Sequence, residues 1–151
     1  MRVLAGVLTV VALACSGVSL AATKAKQTSG VAYVSATHTE GKILFVSGDF
    51  KDKLLGRGGI VYQTTVRQDP NQSGTFLVTA KKITIFTTKG TLSGTGKGKQ
   101  TVAQDGSISV GDGTFSLTKG TGAYKGHTMK GTFGGPQTDG VYKFSYKAAY
   151  K

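Results

Sequence analysis

The chain carries few groups able to do chemistry. Seven acidic residues are the whole stock for acid–base work, set against 19 lysines and arginines and two histidines. Asp69, Asp105, Asp112 and Asp139 each adjoin Pro or Gly, the setting in which an aspartate caps the backbone N–H groups of a turn, so they read as structural. Glu40 precedes Gly41 and belongs in a turn for the same reason. Asp49 stands apart, between Gly48 and Phe50. A carboxylate near the mouth of a barrel, its pKa raised by desolvation, could act as a base or as a hydrogen-bond acceptor. Asp49 is therefore the one candidate catalytic residue, and a turn aspartate beside Lys51 and Lys53 is the competing reading.

Other chemistries find less. His38 and His127 are far apart in the chain, with no Cys, Asp or Glu at ligand spacing, which argues against a metal site. No Gly-x-Ser-x-Gly elbow is present to expose a serine nucleophile. Gly94-Thr-Gly-Lys-Gly-Lys99 has the glycines of a phosphate loop, but no Ser or Thr follows its Gly-Lys pairs and its flanks read as strands, so it is a lysine-rich turn. Nothing calls for a cofactor.

The first 21 residues have the pattern of a secretory leader. Arg2 supplies the positive start, Val3 to Ala14 is an apolar run too short for a stable anchor, and Ser19-Leu20-Ala21 fits the small-x-small cleavage rule. The alternative is a lipoprotein acylated at Cys15, although Ala12-Leu13-Ala14 lacks a leucine three residues before the cysteine. Cleavage near Ala21 removes the only cysteine, and with it thiol catalysis, zinc–thiolate sites and disulfides. A short leader without disulfides leans bacterial, and the expected location is secreted or periplasmic. No second apolar segment is long enough to cross a membrane as a helix.

The remaining 130 residues suffice for one domain. Arg2 leaves with the leader, so 18 basic residues face 7 acidic ones and the net charge becomes +11. Such a field attracts anionic envelope surfaces, acidic polysaccharide or nucleic acid. The lysines are scattered singly, which also fits solvent faces of strands kept soluble by charge.

The elements that would position these groups are strands. No stretch keeps apolar residues at i, i+3, i+4 and i+7, and Gly, Thr, Ser and Val dominate. At the C-terminus Tyr142, Phe144, Tyr146, Ala148 and Tyr150 share one face while Lys143, Ser145 and Lys147 share the other, the period of a half-buried strand. The same pattern predicts strands near 31–37, 59–67, 75–86, 91–97, 107–111, 114–118 and 128–133. Gln68 to Gly74, Asp105-Gly106, Asp112-Gly113 and Asp139-Gly140 carry turn chemistry between them, and Gly120, Gly122 and Gly126 punctuate another turn. Lys81-Lys82 fits an outward pair or a small bulge. Residues 22–29 show no apolar pattern and read as a disordered lead-in to a single domain at 30–151. About eight closely spaced strands predict an all-β, calycin-like antiparallel barrel closed against exposed edges, with a two-sheet sandwich as the alternative.

At this point a resemblance becomes specific. The run from Gly113 to Phe133, an alternating strand, then Gly-x-Gly, an aromatic, Gly and a second strand, resembles the allene oxide cyclase barrel family, which shares its fold with dirigent proteins. Ser47-Gly48-Asp49-Phe50 followed by Gly58-Gly59-Ile60-Val61 is similar to that family's Gly-Asp-Leu element, and Val141-Tyr142-Lys143-Phe144 to its closing Tyr-x-Phe strand. The resemblance spans most of residues 30–150 and is greatest for short secreted bacterial members. It implies an eight-stranded barrel whose lumen takes an apolar small molecule, and, as in plant relatives, a trimer. An alignment on Tyr33-Val34 sets Ala36 and His38 where the plant cyclases carry Glu and Asn, and the cyclase cysteine has no counterpart. The container is inherited; the cyclase chemistry is not carried by these residues.

The expected function is therefore non-catalytic binding of an apolar molecule in the lumen. Tyr33, Phe76, Phe86, Phe115 and Phe144 are the lining candidates, with Tyr62 and Asp49 for polar orientation. The alternatives are a cationic envelope- or polyanion-binding module and a cyclase or isomerase. Nucleic acid is not an expected partner, because the aromatics of the last strand lie opposite its lysines.

Overall fold

The computed structural model describes residues 24–151. The expected leader, its cleavage site and Cys15 lie outside the described residues. Eight antiparallel strands follow one another round a closed barrel: β1 (Lys26–Glu40), β2 (Ile43–Asp52), β3 (Gly56–Gln68), β4 (Thr75–Thr87), β5 (Gly90–Val102), β6 (Ile108–Gly120), β7 (Met129–Thr138) and β8 (Val141–Tyr150). A short 3₁₀ turn, Gly122–Tyr124, joins β6 to β7. Pairing of β1 with β8, from Lys26↔Tyr150 to Ser35↔Val141, closes the ring and leaves no free sheet edge. The barrel, rather than the sandwich, is the fold.

Four expectations about the elements change. The lysine-rich turn expected over Gly94 to Lys99 is the middle of β5. The lead-in over 22–29 is strand from Lys26 onward, because β8 supplies its hydrogen-bond partners. The two strands expected at 107–111 and 114–118 are one strand, β6. Asp112, with φ of 49°, forms a bulge within it instead of a turn. And β2, whose Gly48 and paired polar residues blur the alternation, is a full ten-residue strand. The count of eight survives because one merger offsets one omission.

The two ends of the barrel differ. At the end holding both termini and the β2–β3, β4–β5 and β6–β7 connections, Leu55, Leu92, Leu117, Tyr124 and Met129 are buried and close the base. Tyr124 is held there by a 2.8 Å hydrogen bond between its hydroxyl and Thr87 Oγ1. At the opposite end, which carries the other four hairpin loops, the inward positions Leu44, Phe76, Gln100 and Tyr142 are only partly buried. The lumen opens on that side.

Candidate functional site

The interior holds a cavity of about 110 Å³. Its two sides differ in chemistry. Phe115, Phe133, Phe144 and Tyr146, from β6, β7 and β8, form an aromatic wall. Their rings contact edge-on or tilted, with centroids 5.2 Å apart for Phe133–Phe144, 5.9 Å for Phe115–Tyr146 and 6.4 Å for Phe115–Phe133. Facing them, Ile60, Val78, Ala80, Ile83 and Ile85 from β3 and β4 form an aliphatic wall. Between the two, β5 turns backbone rather than side chains to the lumen, since Gly94, Gly96 and Gly98 occupy successive inward positions. The aromatic wall, Ile60 and Val78 all face inward yet remain only partly buried, because the lumen is not filled by side chains.

Polar groups are sparse in this space. Tyr62 lines the cavity, and its phenol pKa is pushed well above 10.0, first by burial and then by the neighbouring Tyr142 phenol. No hydrogen bond to Tyr62 contributes among the described residues. Tyr142 instead donates to Gln100 Oε1 at 3.0 Å, nearer the mouth. Lys97 borders the cavity through its strand, but its side chain is exposed on the outer surface.

At the base, a buried carboxylate ties three strands together. Asp52 is 4 % exposed. Its Oδ1 accepts hydrogen bonds from Thr28 Oγ1 (2.7 Å), Leu54 N–H (2.7 Å) and Leu55 N–H (2.8 Å), and its Oδ2 accepts one from the Tyr146 hydroxyl (3.0 Å). The Tyr146 pKa is raised strongly, by burial and then by the Asp52 charge and its hydrogen bond. To reach Asp52 on β2, the Tyr146 ring crosses over Gly30 on β1, where any Cβ would collide with the ring and its hydroxyl. Asp52 was not singled out from the sequence. The signal was there: Val46, Gly48, Phe50 and Asp52 share one face of β2, so alternation carries a carboxylate inward.

The candidate residues divide accordingly. Tyr62, Phe115 and Phe144 line the cavity together. Tyr33 does not: it alternates with inward Ala32 and Val34, so its ring is outside and 50 % exposed, with Lys143 Nζ 5.9 Å from the ring centroid. Phe86 is likewise outside, 42 % exposed. The cause is the β4 bulge at Lys81-Lys82, where Lys82 takes φ of 54° and the phase of alternation shifts by one residue. Ile83 and Ile85 take the inward places that unbroken alternation would have given to Thr84 and Phe86. Phe76 precedes the bulge and keeps the inward phase, but it sits at the mouth beyond Val78 and is not part of the cavity wall. Asp49 is exposed and paired with Tyr33 across the β1–β2 ladder, so its carboxylate points away from the lumen.

Elsewhere, His38 stacks on Phe45 (centroids 4.2 Å apart) and contacts Glu40 at 3.4 Å on the surface. His127 stacks on Tyr150 (5.0 Å). Among the described residues no group of three potential metal ligands gathers, and no helix is long and apolar enough to cross a membrane. Comparison with known protein families, with curated proteins and with solved structures finds no match to this chain.

Proposed function

We propose that this protein is an exported binding barrel of the allene oxide cyclase and dirigent type, and that it holds a small apolar molecule in its lumen without transforming it. The observation that carries this reading is the half-open apolar cavity of about 110 Å³ with one unpartnered phenol, Tyr62, on its wall. A cavity of about 150 Å³ lined by hydrocarbon accepts benzene. The space here thus suits one ring or a short branched alkyl group, with the rest of a longer ligand emerging at the mouth. Burial against both walls supplies the affinity, at roughly 25 cal/mol per Å² before the costs of ordering. Tyr62 supplies direction, as a hydrogen-bond donor to a ligand carbonyl or ether oxygen.

A container is favoured over a catalyst by the state of the carboxylates. Asp49 is outside, and both oxygens of Asp52 are engaged by four protein donors at the closed base. Neither is free to move a substrate proton.

Two probes of the same shape test the reading. Acetophenone carries an oxygen acceptor and ethylbenzene does not. Calorimetric titration should show both binding to the native protein. Tyr62→Phe should weaken acetophenone by about fivefold, the worth of one hydrogen bond, and leave ethylbenzene unchanged. Absence of binding by either probe to the folded protein would overturn the proposal.

A further inference from the structure

On its outer surface the barrel carries a second concave site, which meets the lumen wall at Phe133 and Tyr146. It runs across β2, β1, β8, β7 and β6, four strand spacings or roughly 19 Å. Short hydroxyl side chains make its floor: Ser29 on β1, Ser145 on β8, Thr132 on β7 and Thr114 on β6. Lys51 and Lys53 stand at one side and Lys147 rises beside the floor, with the half-exposed ring of Tyr33 at the upper rim and Asp112 at the far end.

The pairing explains why these lysines converge. Lys51 is opposite Val31, Lys147 is opposite Ser29 and Thr132, and Lys143 is opposite Tyr33. Residues of β2 and β8, far apart in sequence, flank the same strand, β1. No groove lysine has a carboxylate within ion-pairing distance among the described residues, where the single such contact is His38–Glu40. Asp52 reaches the groove only from below, its oxygens already occupied. These lysines thus share one outer face of neighbouring strands with no ion-paired carboxylate among the described residues, which favours an external anion.

We infer that this groove binds a linear polysaccharide whose repeat carries a carboxylate. Each feature has a matching part in such a chain. Serine and threonine hydroxyls donate to and accept from ring hydroxyls. Tyr33 offers an aromatic face to the apolar side of a sugar ring. The lysines take the carboxylates as point charges. Asp112, an acceptor only, bonds sugar hydroxyls at the far end of the groove. A nucleic-acid track would instead ask for successive exposed stacking aromatics; of the three at this groove, Phe133 and Tyr146 turn inward to the lumen wall and only Tyr33 presents an exposed ring.

The test uses the folded protein and polygalacturonate, with neutral dextran and single-stranded poly-dT as comparators, in titrations at low and moderate salt. Polygalacturonate should bind, dextran should not, and affinity should fall as salt rises. The double variant Lys51→Gln/Lys147→Gln should lose about tenfold in affinity. Lys89→Gln/Lys125→Gln removes the same charge outside the groove and should lose less than about twofold. Tyr33→Ala should weaken binding with an unchanged salt slope, which separates stacking from charge. Equal losses in the two lysine pairs would reduce the site to net charge and overturn the inference. So would tighter binding to poly-dT, or no binding to polygalacturonate. Acetophenone binding in the groove variants reads the lumen independently, so the two sites fail separately.

Discussion

The single residue on which most depends is Asp52. It is the one carboxylate that the strand alternation carries inside, and it serves the fold: four donors from β1, β8 and the turn after β2 converge on it. Asp52→Ala strands buried donors at once and should cost about 3 kcal/mol in a denaturant titration, while Thr28→Val, which removes one donor and keeps the shape, should cost about 1 kcal/mol. The buried phenols set a second expectation. Tyr62, Tyr142 and Tyr146 all have pKa values raised above the ordinary 10.0 by burial. A group whose pKa is raised on folding contributes stability fully below its unfolded value, and that contribution is lost as pH rises towards its folded one. The barrel should therefore hold its stability to about pH 10 and lose it progressively above. Tyr146→Phe and Tyr62→Phe should each flatten that decline, measured by thermal unfolding across alkaline pH. Asp52 was legible from alternation alone; its partners were not, since Tyr146 meets it only because Gly30 lets a ring cross β1.

At the scale of the element, bulges decide what faces the ligand. The apolar and polar letters of β4 do not reveal whether Lys81-Lys82 continues the strand or interrupts it, and Ile85 and Phe86 exchange sides on that point alone. Of the aromatics expected to line the lumen, Phe115 and Phe144 lie on strands whose local phase is unbroken around them, and they do line it. Phe86 lies beyond a bulge and does not. Tyr33 was misassigned for another reason: β1 is apolar on both faces between Val31 and Val34, so alternation gives no side. The bulge has a measurable signature. Lys82 holds a left-handed backbone that costs a residue with a Cβ roughly 1–2 kcal/mol, partly recovered on replacement by glycine. Lys82→Gly should raise stability by about 0.5 kcal/mol, and Lys82→Val should lower it by more than that, both read by denaturant titration.

For the whole molecule, closure is what turns strands into a container. The class of fold was readable because eight short strands with turn chemistry between them have few other ways to hide their edges. The open lumen was not readable, because it depends on the sum of volumes: glycines along β5 and Ala80 opposite remove side chains where an ordinary small barrel is filled. Nor was the basic groove, since strand neighbours, not sequence neighbours, gather its lysines. The two sites lie on opposite sides of the same wall, one apolar and inside, one charged and outside. The central claim, that the lumen holds a ligand, is met most directly by native mass spectrometry of the folded protein after exposure to an apolar extract of its producing cells. The native chain should carry a discrete added mass, and Ala80→Leu, which fills the cavity without disturbing the surface, should abolish it while leaving thermal stability equal or higher. An unliganded mass from the native chain, or the same added mass on the filled variant, would contradict the account.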